Sequence, residues 1–219
     1  MLPHEIESTS FHIIRTELGE HHWSDRELPI VLRVIHATAD FDFRDTLRIH
    51  PQAVSAGVTA LHQGCTIVTD VRMVEVGIST RHLGPLGGKT VCDIRHPHVY
   101  ETAKRLGITR SAAAMRRNAA HIHGGIVAIG NAPTALLQVI RLVRQKGLRP
   151  ALIVGVPVGF VNAVEAKAAL TTLPDTPYIT ALGRKGGSTV AVAIVNALLR
   201  LAAHPETDSD EQSSLTSSR

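Results

Sequence analysis

At 219 residues, with 44% hydrophobic content and a formal net charge of +4, the chain can build one domain, or at most two small ones, around a sizeable core. No apolar run reaches the roughly 18 residues that cross a bilayer, and the start, MLPHEIESTSFHII, lacks the regions of a signal peptide, so a cytoplasmic protein is expected. Aromatic content of 3% is too low for the stacking platforms of single-stranded nucleic-acid binding, and dispersed basic residues argue against duplex DNA, so neither nucleic acid nor membrane is an expected partner.

In chain order, the first unusual stretch is RVIHATADFDF (33–43), a histidine within an apolar run and an aspartate four residues later. On a helix that spacing puts His36 and Asp40 on one face, with Arg33 one turn before. This suits a catalytic acid held in place, and equally a buried histidine with a hydrogen-bond partner. PQAVSAGVTALHQG reads as a helix begun at Pro51 and ended at Gly64. TIVTDV (66–71) and KTVCDI (89–94) read as strands, followed by helices over 98–107 and 110–122, the second capped by Thr109 or Ser111. GIVAIG (125–130) is a strand before a helix over 133–146. ALIVGV (151–156) is another, before a helix over about 161–170. A last helix runs over 188–203.

Continuous apolar strands alternating with helices predict an α/β fold, a single domain over 1–203 with a mostly parallel sheet covered by helices on both faces. The remainder, 204–219, is polar and acidic and reads as a disordered tail. Cys65 and Cys92 form no CxxC pair or disulfide framework and read as small core residues.

In such a sheet, ligands gather outside the carboxyl ends of the strands. IGNAPTAL, with Asn131, and GVPVGFVNA occupy two such positions, although tight turns need Gly, Asn and Pro for backbone reasons alone. GRKGGST (183–189) says more. Gly186 and Gly187 allow close backbone approach, the helix beginning at Ser188 presents free N–H groups, and Arg184 and Lys185 add positive charge. A carboxylate or a phosphate would suit it, and the pattern is not a P-loop. Arg110 stands at a helix N-terminus, unfavourable for a cation unless an anion joins it. His96 with His98, and His121 with His123, have i, i+2 spacing, but no third or fourth ligand with a zinc pattern accompanies them, so no metal site is expected. GxGxxG, GxSxG and CxxC are all missing.

Taken together, SFHIIRTEL, RVIHATADFDF, TDVRMVEVGI, TRSAAAMR, IGNAPTAL, VGVPVGFVNAVEAK and TPYITALGRKGGST resemble, in order, the motif series of the precorrin-8X methylmutase family, from about residue 3 to 200. The resemblance implies a homodimeric isomerase with no cofactor, acting on a tetrapyrrole substrate and releasing a tetrapyrrole product. It implies migration of a methyl group from carbon 11 to carbon 12 in ring C, giving hydrogenobyrinate, or cobyrinate when cobalt is present. It makes His36 the acid near ring C. Imidazole exchanges protons near neutral pH, and protonating a ring nitrogen would ease the migration. By the same resemblance Ser10, Arg33, Thr38, Asp40, Thr80 and Asn131 line the pocket, while Arg110, Arg184, Lys185, Gly186, Gly187 and Ser188 suit the substrate's carboxylates. Asp40 would orient His36, or else cap or bridge backbone. Two stretches depart from the pattern: Glu165-Ala166-Lys167 stands where Glu-Ser-Lys is expected, and 79–90 matches only loosely.

Overall fold

Strands that are apolar on both sides need cover on both faces, and the helices between them supply it. The computed structural model describes residues 2–203. Two helices come first, α1 (Pro3–Leu18) and α2 (Leu28–Thr38), then α3 (Phe43–Thr46) and β1 (Leu47–Ile49). Next are α4 (Ala53–His62), β2 (Thr66–Thr69), α5 (Arg72–Gly77), α6 (Thr80–Leu83), a 3-10 turn (Gly84–Leu86) and β3 (Lys89–Val91). The helices α7 (Pro97–Leu106), α8 (Arg110–Arg117) and α9 (Ala119–Ile122) lead into β4 (Ile126–Ile129) and α10 (Pro133–Lys146). The chain continues through β5 (Leu152–Gly155), α11 (Ala163–Thr171) and β6 (Tyr178–Ala181) to α12 (Ser188–Ala203).

Among the described residues the strands form one six-stranded sheet, in the order β1-β6-β5-β4-β2-β3. All neighbours are parallel except β1, which runs antiparallel to β6 with Leu47 opposite Ala181. Alternation along the strands divides the core. Ile67, Ile126, Ala128, Leu152, Val154 and Ile179 face the layer that includes α2, α4 and α12. Val68, Val127, Ile129 and Ile153 face the layer of α7, α8, α10 and α11. The helix α12 crosses β4 and β5 and packs along α2, α4 and α5. It is buried nearly all round, from Val190 through Ile194 and Leu198 to Ala202, as expected of a helix wedged between a sheet and other helices.

The α/β class and mostly parallel sheet agree with the sequence reading, and several boundaries differ. The helix predicted over 110–122 breaks at Asn118, whose Nδ2 donates to the Ala114 carbonyl (3.1 Å) and to Asp93 (3.2 Å). Such a side chain competes with the helical ladder. The helix predicted from Pro51 begins at Ala53, because His50 Nδ1 accepts the Gln52 N–H (3.2 Å) and shapes a turn. Helices α1, α3, α5 and α6, strand β6 and antiparallel β1 add to the predicted elements. Cys65 and Cys92 are half-buried rather than core residues, and burial pushes the Cys65 thiol up to about 11. The predicted tail, 204–219, lies outside the described residues. Among those, no helix is long and apolar enough to cross a membrane.

Candidate active site

The carboxyl ends of β4, β5 and β6 share one edge of the sheet with the amino end of β1, because β1 runs the other way. Four connections meet there: 39–42, 130–132, 156–162 and 182–187. His36 lies in the last turn of α2, exposed, with its ring stacked on Phe11 of α1 (centroids 5.0 Å, planes 13° apart). The Arg33 guanidinium lies over the Phe11 ring, 5.0 Å from its centroid, and pairs with Glu7 (3.2 Å). Ser10, beside Phe11, bonds back to the Ile6 carbonyl (2.8 Å), and Thr38 to that of Val34 (2.8 Å).

Asp40 takes the second of the two roles open to it. The helix ends at Thr38 and Ala39 turns left-handed (φ 52°), a conformation that costs an L-residue roughly 1–2 kcal/mol. Asp40 therefore leaves the helical register that would have aligned it with His36. Its Oδ1 accepts the Asp42 N–H (3.0 Å) and its Oδ2 meets Lys185 Nζ (2.6 Å). Lys185 also reaches Asp42 Oδ2 (2.6 Å). The Lys185 bond holds the Asp40 carboxyl below its usual range, and the two aspartates push the Lys185 ammonium up. Lys185, expected as an open positive charge for a ligand, is thus occupied by two carboxylates.

Arg184 remains exposed, with its guanidinium 5.3 Å from the centroid of Phe160, an aromatic ring 85% exposed. The loop that carries it is fixed to β5: Gly187 N–H donates to the Val156 carbonyl (2.8 Å), and Gly159 N–H to that of Arg184 (3.2 Å). At Gly186 (φ 153°) a Cβ would run into the Val156 carbonyl, so only glycine fits. Ser188 then opens α12, and Gly187 O accepts the Ala191 N–H (3.0 Å).

Asn131 is exposed at the end of β4, in a loop held from below by Asp70. The fully buried Asp70 carboxylate accepts N–H bonds from Gly130 (3.1 Å), Asn131 (2.9 Å) and Ala132 (2.7 Å). Burial pushes its pKa up, and the three donors oppose the rise. Arg110 finds a neutral partner rather than an anion: it stacks on Tyr100 (4.9 Å) and donates to its hydroxyl (2.7 Å). Thr109 caps α8 as expected, accepting from Ala112 N–H (3.2 Å), and meets Thr134 at the start of α10 (2.8 Å). That contact brings Arg110 to the same sheet edge, under the opposite layer of helices. Thr80 stands apart. The preceding Ser79 is held by Asn196, mid-way along α12, which accepts the Ser79 N–H (2.9 Å) and donates to the Gly77 carbonyl (3.0 Å).

Three residues around this edge escaped the sequence reading, and a fourth, Lys167, entered it only within the Glu165-Ala166-Lys167 departure. Phe11 and Phe160 are long-range stacking partners with no local signature. Asp70 had one, a carboxylate placed directly after an apolar strand. Lys167 had another, since 163, 166, 167 and 170 form an i, i+3, i+4, i+7 stripe, and the lysine sits inside it. Lys167 is 0% exposed, donates to the Lys185 carbonyl (2.7 Å), and is lowered to about 8 by burial.

The His96–His98 pair goes to local structure. His96 caps α7, accepting from His98 N–H (3.2 Å), while its Nε2 meets Arg117 (3.0 Å). Among the described residues no three of His, Cys, Asp and Glu are grouped to hold a metal ion. Two surface depressions of about 390 Å³ each, one beside Gln52 and Thr59 and one beside His22 and Arg48, include none of the candidate residues.

Residues 5–201 match the model of the precorrin-8X methylmutase family. The cobalt-precorrin-8 methylmutase of Leptospira interrogans is 47% identical over 207 residues, covering 91% of this chain and 94% of that one. The precorrin-8X methylmutase of a Sinorhizobium species is 37% identical over 196 residues, covering 89% and 93%. A crystal structure of precorrin-8x methyl mutase from Thermus thermophilus superposes with a TM-score of 0.84 at 43% identity, covering 91% of this chain and 98% of that one. With the family model matched over nearly its whole length, this chain belongs to the precorrin-8X methylmutase family, isomerases of cobalamin biosynthesis.

Proposed function

We propose that the chain moves a methyl group from carbon 11 to carbon 12 within ring C of precorrin-8X or its cobalt complex, with His36 as the acid. The products are hydrogenobyrinate and cobyrinate. The shift is intramolecular, so no atom is gained or lost: His36 lends a proton to the conjugated ring system as the methyl group moves, and recovers it afterwards. The observation that carries this reading is His36 itself. Its ring is exposed at the carboxyl edge of the sheet, it has no hydrogen bond or ion pair among the described residues, and Phe11 fixes its plane. An imidazole so placed keeps both nitrogens for a substrate.

The surroundings suit a large conjugated ring fringed with carboxylates. Val158, Phe160 and Val161 offer exposed apolar surface beside Arg184, and Arg110 and the 130–132 loop stand along the same edge. On this reading Ser10, Arg33, Thr38, Asn131 and the Gly186–Ser188 segment contact the substrate directly. Asp40 and Lys185 hold the wall. The enzyme works as a cytoplasmic homodimer, a state favoured by exposed Met73 and Val76 and open to light scattering.

The test is the visible spectrum of precorrin-8X, and separately of cobalt-precorrin-8, mixed with wild type and with His36→Ala. Wild type is expected to convert one or both. The variant is expected to lose about 10²–10⁴-fold in rate while binding product within a few-fold. Binding without conversion by wild type would leave a tetrapyrrole carrier.

A further inference from the structure

Lys167 is a buried cation with no role in the proton transfer. Its side chain fills the stripe of α11 formed with Ala163, Ala166 and Leu170, where methionine would fill much the same volume without a charge to desolvate. Its one partner among the described residues is the Lys185 carbonyl (2.7 Å). Lys185 is gripped again at the far end of its side chain, 2.6 Å from Asp40 and 2.6 Å from Asp42. Those aspartates flank the turn that follows Ala39, the left-handed residue that ends the His36 helix. A continuous line of contacts thus runs from buried α11, through the main chain and side chain of Lys185, to the turn beyond His36. It joins segments 145 residues apart.

We propose that Lys167 is a positioning residue for the methyl shift, anchoring the Lys185 carbonyl so that the Lys185 ammonium can hold the Asp40–Asp42 turn and with it the end of the helix that presents His36. The reaction is taken from the function proposed above; the anchoring is not. A long side chain suits the task, because it reaches from the core to a carbonyl on an exposed loop. The left-handed turn needs a hold from outside the helix, which has already ended.

The test compares Lys167→Met, the pair Asp40→Asn with Asp42→Asn, and all three substitutions together, by hydrogen exchange and by turnover. Exchange is read without substrate in peptides covering 34–46, with peptides covering 126–129 of β4 as the control. Lys167→Met is expected to speed exchange at 34–46 as much as the aspartate pair does, and the combination no further, with β4 unchanged. In turnover it is expected to lower kcat about 10-fold with KM within about two-fold, again without adding to the aspartate pair. Unchanged exchange at 34–46, effects that simply add, or equal acceleration in β4 would overturn the proposal. If Lys167→Met does not fold, Lys167→Gln takes its place. That variant withdraws the donor by a bond length, is expected to give intermediate exchange at 34–46, and overturns the proposal if it leaves that exchange unchanged. If wild type fails to convert either substrate, the functional reading falls while the exchange result still decides the anchoring.

Discussion

Replacing Gly130 by alanine is expected to force α12 away from the end of β4. A Cβ there would stand 2.6 Å from Ser188 Cα, 2.9 Å from Ser188 N and 3.0 Å from the Gly187 carbonyl oxygen. All three are main-chain atoms, so no side chain can swing aside. Ordinary carbon contacts lie at about 3.5–4.0 Å, so the two segments must part by roughly 1 Å. Overpacking of this kind costs about 1–3 kcal/mol, which for a chain of this size lowers Tm by roughly 2–12 °C. The same movement displaces Asn131 against Ser188, and a 1 Å error in a site can cost about 10²-fold in rate. Thermal melting and the spectroscopic conversion assay read the two effects on one preparation. A Tm within about 1 °C of wild type, together with an unchanged rate, would refute the reasoning and mean that the start of α12 is free to move.

Three further outcomes are expected. Burial lowers Lys167 from 10.5 to about 8, so the folded state holds fewer protons than the unfolded state between those values and stability rises with pH across that window, by roughly 1–3 kcal/mol. Above pH 9 the raised Cys65 thiol pulls the other way in any variant, so the readout is the difference: urea midpoints from pH 7 to 10.5 are expected to rise more, or fall less, in wild type than in Lys167→Met, and equal slopes in both would contradict it. Asp70→Ala strips three loop N–H groups of their acceptor and is expected to cost about 2–4 kcal/mol, after the relief of a buried charge. A urea midpoint equal to that of wild type would reject that role. Phe160→Ala removes an exposed ring under Arg184 and is expected to leave Tm within about 1 °C while raising KM about two- to five-fold, from a contact of roughly 0.5–1 kcal/mol; a falling Tm with KM unchanged would instead make the ring structural.

Much of the fold was legible because its signals are local. The helices over Pro133–Lys146 and Ser188–Ala203 carry a clear beginning and long apolar faces, and both were bounded correctly. The strand YITA was overlooked because four residues between prolines and a glycine-rich loop carry little periodicity, and its identity depends on pairing with β5 and β1. Position along the sheet edge was also readable, since it follows from strand direction. Pair contacts were not. The i, i+4 rule linked Asp40 to His36 only while the helix continued, and nothing in ATAD announces that Ala39 turns left-handed. In the sequence Lys185 reads as available, because its two aspartates lie so far away in the chain. Asp70 and Lys167 were visible as polar residues in apolar patterns, a sign that each had a partner elsewhere.

The antiparallel edge strand has a consequence for the order in which the protein is made. Because β1 pairs with β6, and α2 packs along α12, the first strand and the His36 helix both depend on segments made much later in the chain. At roughly 5–20 residues per second, the 145 residues between Asp40 and Lys185 take roughly 7–30 s to synthesise. Throughout that interval Ile30, Val31, Val34 and Ile35, buried in the finished protein, wait for the helix that covers them. The newborn chain therefore carries this apolar helix uncovered until α12 is made, which makes it a natural point of attachment for a chaperone.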